Sequence, residues 1–237
     1  MGYAGMTAPG RAFPLLVIVP VRSAHEADPL FLSQIGDGTV LDRTLADAER
    51  QRQYGDVTLM ITTDDARIRD AVEARNAGWH VRLRDEDEMA GGYFYALARA
   101  SNAASDATGT RFGAALLLEP SHPFRPRGLI RNALDLYERQ AELETVVAVV
   151  REYGNLWTED SHQGLTRIHT PEGRNFFREM AGLCLLTSPA AIKGTSAMGS
   201  NVGFVVVEEQ WALIDIHERD DVELARRFHS ILSPGTA

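Results

Sequence analysis

The chain has 237 residues, of which 44% are hydrophobic, 24% charged and 8% aromatic, a balance that excludes intrinsic disorder and low-complexity architecture. Lys and Arg number 24 against 33 Asp and Glu, a net charge of −9; this excludes a nucleic-acid binder with a broadly basic surface but allows a local cationic pocket. The single cysteine, Cys184, excludes an intramolecular disulfide and any multi-cysteine metal site, and no stretch approaches the ~20 consecutive apolar residues of a membrane-spanning helix.

The expectation is a cytoplasmic protein without nucleic-acid or membrane partners. Lys193 is the only lysine, so an anion gripped by a side-chain cation here meets a planar guanidinium.

Residues 1–13 are small and lack periodicity, and read as a disordered N-terminus. Residues 14–237 read as one domain, with 152–200 as a small insertion or dimer arm. Leu15–Val19 is a β-branched and apolar run stopped by Pro20, the pattern of a strand buried on both faces. Residues 22–38 form a polar loop, long enough to expect function in it. Apolar residues at 41, 45 and 48 predict a helix over 40–53. Val57–Thr62 predicts a second strand, with Asp64 as N-cap of a helix over 65–77. Gly78 ends that helix, and Trp79–Leu83 alternates as a third strand. A helix is expected over 93–104, a strand at Ala114–Leu118, a helix at Gly128–Leu143 and a strand at Thr145–Val150. Leu183–Thr187, Val202–Val207 and Ala212–Ile216 read as further strands and Val222–Leu232 as a closing helix. Alternating β and α elements with continuously apolar strands predict an α/β fold, a doubly wound, mostly parallel sheet with helices on both faces.

In such sheets ligands bind beyond the carboxyl ends of the strands. Those ends are Pro20–Ser23, Thr62–Asp64, Arg84–Gly92, Glu119–Arg125 and Asp215–His217, and they carry arginines, carboxylates, hydroxyls and glycines. This is the chemistry of a phosphate or nucleotide site, yet neither GxGxxG nor GxxxxGK[ST] is present.

The strand ends resemble those of the acylneuraminate-type cytidylyltransferases, the CMP-sialic acid and CMP-Kdo synthetases. Val17-Ile18-Val19-Pro20-Val21-Arg22 is similar to their opening strand and Pro-x-Arg turn, and Ile61-Thr62-Thr63-Asp64-Asp65 to their Ser-Thr-Asp segment. Leu83-Arg84 with Glu88-Met89-Ala90 resembles their Leu-Arg-Pro-x-Glu-Leu-Ala run. Leu118-Glu119-Pro120-Ser121-His122-Pro123-Phe124-Arg125 resembles their Leu-Gln-Pro-Thr-Ser-Pro-Leu-Arg. Ile214-Asp215-Ile216 followed by Asp221-Val222-Glu223-Leu224-Ala225 is similar to their closing Asp-Ile-Asp and its helix. The motifs keep their order over about residues 15–230. The resemblance implies a nucleotide-diphospho-sugar transferase-like variant of the Rossmann arrangement, a homodimer, and transfer of CMP from CTP to an acidic sugar.

The departures bear on the acceptor. The family's first loop carries Gly-Gly-Ser-Lys and Pro-Gly-Lys-Asn; here Ser23–Phe31 has neither lysine and includes Glu26 and Asp28. His217 replaces the second closing aspartate, and only Arg174-Asn175-Phe176-Phe177-Arg178 echoes the sugar-gripping Arg-Gln-Asp-x-Pro. A branch with a small acidic acceptor, like the phosphonoformate cytidylyltransferases of phosphonate antibiotic pathways, fits these losses.

Nucleotidyl transfer needs cations on the triphosphate, a divalent metal and an in-line acceptor oxygen. Arg22 is expected on the phosphates, with Pro20, Val21 and Ser23 of the same turn; the competing reading is a surface arginine paired with Glu26 or Asp28. Thr63, Asp64, Arg84, Gly91 and Gly92 are expected around the nucleotide, although Thr63 and Asp64 also suit a helix cap and the glycines a turn. Asp215, at the end of an apolar run, is expected to hold Mg²⁺, which takes one or two carboxylates together with phosphate oxygens; Glu119 and His217 are further candidates. For the acceptor the pool is Glu119, Ser121, Arg125, Arg151, Arg174 and Arg178, since guanidinium grips carboxylate or phosphonate through paired hydrogen bonds. Asp85–Glu88 reads as a solvated turn, Cys184 as a small buried hydrophobe. The alternatives are a non-catalytic nucleotide-binding protein on the same scaffold, or a transferase using another nucleoside triphosphate.

Overall fold

The computed structural model describes residues 13–22, 29–159, 164–168 and 175–232. In chain order its strands are β1 (Leu15–Val21), β2 (Gln34–Ile35), β3 (Gly38–Thr39), β4 (Val57–Thr63), β5 (Trp79–Leu83), β6 (Ala114–Leu117), β7 (Thr145–Glu152), β8 (Trp157–Glu159), β9 (Leu165–Arg167), β10 (Phe176–Glu179), β11 (Leu185–Thr187) and β12 (Val202–Val206). The α-helices are α1 (Val40–Glu49), α2 (Ala66–Ala74), α3 (Glu86–Thr108), α4 (Leu129–Arg139) and α5 (Arg219–Leu232).

Every residue of β1 is buried because the strand is flanked on both edges. It runs parallel to β4 on one side, from Leu15 opposite Val57 to Val21 opposite Thr63, and to β6 on the other, from Leu15 opposite Ala114 to Ile18 opposite Leu117. Side chains alternate across the sheet. Leu15, Val17, Val19 and Val21 enter a core shared with α1, α2 and α4, while Leu16 and Ile18 enter a second one against Leu97 and Ala100 of α3. Helices thus cover both faces of an eight-stranded sheet. β4 and β5 extend it from one edge of β1; β6, β11, β7 and β12 extend it from the other. β10 and β11 follow one another along the edge of β7 opposite β12, antiparallel to it, and every other strand of this sheet points the same way. The order reverses at β1, and ligand crevices form at such switch points. β2 pairs with β3 and β8 with β9 in separate two-stranded ribbons. No helix among the described residues is long and apolar enough to cross a membrane.

Several boundaries differ from those the sequence predicts. Pro20 lies inside β1 instead of stopping it. The carbonyl of Ile18 accepts from Leu118 on the β6 side, and alternation turns Pro20 to that same side, beyond the last β6 partner, where its missing N–H costs no ladder bond. Asp65, not Asp64, caps α2, accepting from the Arg67 amide at 2.8 Å. α1 stops at Glu49 and continues as a 3₁₀ turn over Arg50–Tyr54. Helix α4 ends four residues before Leu143, at Arg139. Ala212–Ile216 is not a strand: Gln210–Leu213 is a 3₁₀ turn and 214–216 is irregular. Its apolar residues are spent covering other elements, Ile216 meeting Ile35, Val40 and Phe124 under α5.

Asp85–Glu88 is not a solvated turn either. Asp85 and Glu88 form a reciprocal capping box that starts α3, which satisfies two otherwise orphaned amides. The helix then breaks at Gly92, whose φ of 82° and ψ of −176° are open essentially to glycine alone.

Candidate functional site

Beyond the carboxyl ends of β1, β4, β5 and β6 lies a cleft of about 280 Å³. β1 brings Pro20 and the exposed Arg22 to it, the start of α3 brings Arg84, Glu88 and Met89, and the helix break brings Gly92 and Tyr93. Glu119, Pro120 and Ser121 enter from the end of β6, and His217 and Phe31 complete the wall.

Arg84, just past β5, is fixed by the neighbouring strand β4: its amide donates to the Thr63 carbonyl at 2.7 Å, and its guanidinium to Oγ1 and the carbonyl of Thr62, both at 3.2 Å. Burial lowers its pKa; Asp64 and Glu88 work against this, and Arg22 adds to it. Neither Arg22 nor Arg84 makes an ion pair among the described residues. Glu88 is already neutralised, its two oxygens accepting from Arg82 at 2.9 and 2.7 Å. Two guanidiniums sharing a cleft, with the nearest buried acid committed elsewhere, make an anion-binding arrangement.

Opposite them, the Tyr93 hydroxyl donates to Glu119 Oε1 at 2.5 Å. Ser121 is buried, and its Oγ has no hydrogen-bond partner. The backbone of Ile216 donates to the Ser121 carbonyl at 2.8 Å, which brings the 214–217 segment to the cleft. Asp215 sits one step behind the wall: Oδ2 lies 2.8 Å from His217 Nε2, and Oδ1 lies 3.7 Å from His122 Nε2. Asp215 Oδ1 is buried with no hydrogen-bond partner, and Asp221, not Asp215, caps the start of α5. An orphaned carboxylate oxygen fits Mg²⁺, which takes few protein ligands and leaves the rest to phosphate and water. No group of three His, Cys, Asp or Glu among the described residues is placed to hold a metal ion.

His122 Nδ1 is also buried and unpartnered. Burial pushes the imidazole pKa down to about 4, outweighing the pull of Asp215 in the other direction. The unfolded chain binds this proton near pH 6.5 and the native protein does not, so stability is full above pH 6.5 and falls as the pH drops toward 4. At pH 5 the loss from this group is expected to be about 2 kcal/mol. Urea unfolding at pH 7 and pH 5, without divalent cations, should show a smaller drop for His122→Gln than for the parent; an equal drop would refute the assignment.

The remaining expected residues divide clearly. Thr63 is buried in the cap of α2, its Oγ1 accepting from Asp65 at 3.2 Å, and Asp64 acts on the site through its field at Arg84. Val21 belongs to the core. A Cβ on Gly91 would come within 2.5 Å of the Tyr95 ring, so this glycine accommodates its own helix, whereas Gly92 faces open space. Ser23 and Arg174 lie outside the described residues.

Arg125 is not available to an acceptor. Its side chain is only 2% exposed and donates to the carbonyls of Glu119, His122, Gly182 and Leu183 and to Thr44 Oγ1. Arg151 and Arg178 line a different cavity of about 310 Å³ at the end of β7; Arg151 stacks on Phe177, and Arg178 pairs with Glu152 at 2.8 Å. Tyr93, Glu88 and His122 were not expected at the site. Tyr93 follows the glycine pair directly, the one local signal that could have found it.

No protein-family model and no curated protein sequence matches the chain. Among solved structures it is similar to a CMP:2-keto-3-deoxy-manno-octonic acid synthetase complexed with CTP, at a TM-score of 0.64 and 12% identity, over 93% of this chain and 100% of that one. It is also similar to the 4-diphosphocytidyl-2C-methyl-D-erythritol synthase of Anaerococcus prevotii, at 0.66 and 10%, over 91% and 95% of the two chains. The 2-C-methyl-D-erythritol 4-phosphate cytidylyltransferase of Thermus thermophilus matches at 0.58 and 18%, over 90% and 96%. The fold is therefore the α/β arrangement these proteins share.

Proposed function

We propose that the protein is a cytidylyltransferase, moving CMP from CTP to an acidic acceptor, a 2-keto sugar acid or a small phosphonate such as phosphonoformate, with release of pyrophosphate. The observation that carries this reading is the placement of Arg22 and Arg84 in one cleft at the switch point of the sheet, both without an ion pair among the described residues. A triphosphate supplies the missing anion. Arg22 and Arg84 bind it and offset the charge that builds on the departing pyrophosphate. Gly92, with no Cβ, lets the nucleotide approach the α3 backbone. Ser121 Oγ supplies a hydrogen bond to a ligand oxygen, and the narrow cleft aligns the acceptor with the α-phosphorus.

Asp215 Oδ1 would hold Mg²⁺, with His217 already bonded to the other oxygen of that carboxylate. The bound ion would neutralise charge on the phosphate oxygens. The resemblance also implies a homodimer, which sedimentation of the purified chain would test.

Protein mixed with CTP, Mg²⁺ and a panel of sugar acids and phosphonates is expected to release pyrophosphate only when an acceptor is present. A second reading, a nucleotide-binding protein without turnover, is favoured by the absence of the loop lysines after Arg22 and by His217 at the second closing aspartate. CTP binding without pyrophosphate release from any acid would select it, and thermal shifts with CTP, UTP, GTP and ATP would rank the base.

A further inference from the structure

We infer that Glu119 is the base that takes the acceptor's proton, and that the attacking group is a neutral hydroxyl, not a phosphonate or phosphate oxygen. This rests on the proposed nucleotidyl transfer and narrows its acceptor. Glu119 lines the same cleft as Arg22 and Arg84, yet its carboxylate pairs with no cation within salt-bridge distance among the described residues. Its one hydrogen-bond donor is the Tyr93 hydroxyl, at 2.5 Å on Oε1. Burial, reinforced by Glu119 itself, pushes the Tyr93 phenol pKa up, so Tyr93 stays a donor and orients the carboxylate. The second oxygen is hemmed in by Gly182, where a Cβ would come within 2.8 Å of Oε2. A carboxylate held this way, oriented by one donor and with no cation within salt-bridge distance among the described residues, can accept a proton. A phosphonate or phosphate oxygen is already deprotonated and has no proton to give up, whereas a hydroxyl must lose one as it bonds to phosphorus, and that is the case in which a carboxylate at this place serves.

The step balances. The acceptor hydroxyl oxygen forms a bond to the α-phosphorus while the bridging α–β P–O bond breaks. Pyrophosphate departs with that electron pair, and the hydroxyl proton passes to Glu119.

The test compares the parent, Glu119→Gln and Tyr93→Phe with CTP and Mg²⁺, using 2-keto sugar acids and phosphonoformate as acceptors. Glutamine keeps the shape and can still accept from Tyr93, so CTP binding should stay within about threefold while kcat with the sugar acids falls by about 10²–10⁴-fold and KM changes little. Tyr93→Phe should lower kcat by about tenfold through loss of orientation. A KM rise with kcat kept, or an unchanged kcat in Glu119→Gln, overturns the base. Phosphonoformate turned over faster than every sugar acid overturns the hydroxyl. Failure of the parent to bind CTP, or binding with no turnover of any acceptor, removes the proposed function and this inference with it, whereas an active parent with an unaffected Glu119→Gln removes only the inference.

Discussion

Arg125→Ala is expected to lose about 3–5 kcal/mol of stability, enough to leave much of the protein unfolded at 37 °C. The guanidinium is buried and donates five hydrogen bonds, four of them to carbonyls of residues 119, 122, 182 and 183. Each acceptor left buried without a donor costs on the order of 1–3 kcal/mol. The carboxylate of Asp47, 3.7 Å away, would also lose one of its cations and keep Arg50, while burial already pushes its pKa up. Arg125→Lys keeps the charge but not the planar fork, and should recover only part of the loss. Urea unfolding gives the answer: a cost below about 1 kcal/mol for the alanine variant would mean that Arg125 is free for an acceptor after all. KM for the acceptor should not change in the lysine variant.

Arg22→Ala should do the opposite, cutting turnover steeply and leaving the fold alone. The side chain is exposed and makes no ion pair among the described residues, so the melting temperature should move by no more than about 1–2 °C. Removing one preorganised charge from a phosphate-transfer site costs about 10²–10³-fold in kcat. Arg84→Ala should cost as much activity and slightly more stability, because its bonds to Thr62 go too. Pyrophosphate release under saturating CTP, beside melting curves, distinguishes these effects; retained activity in Arg22→Ala would remove it from the chemistry.

Legibility from sequence depended on where each signal originates. The strand Trp79–Leu83 was bounded correctly because a glycine on one side and charge on the other punctuate its alternation locally. Ala212–Ile216 has equally apolar letters but pairs with no strand, and pairing is decided by distant chain. The strand-end rule brings Arg22, Arg84, Gly92, Glu119, Ser121 and His217 to one cleft, since sheet topology alone fixes where those ends gather. It could not separate Arg125 from them. Its environment is set by the carbonyls of residues 182 and 183, nearly sixty positions away, and nothing in the Ser121–Arg125 motif reports their presence. Asp85–Glu88 was misread for a related reason: the acids look solvated until Arg82 and the reciprocal cap are seen to enclose Glu88.

The one antiparallel insertion governs the order of assembly. β6 and β7 are consecutive parallel strands joined through α4, yet β11, which follows β7 in the chain, wedges between them. Strands β1, β4, β5 and β6 can therefore zip together early as a ribosome-tethered half-sheet, but β7 has no edge to join until residue 187 has been made. Until then the β6 edge hangs open. That interval, rather than any property of the finished molecule, is when this chain is most exposed to aggregation during synthesis.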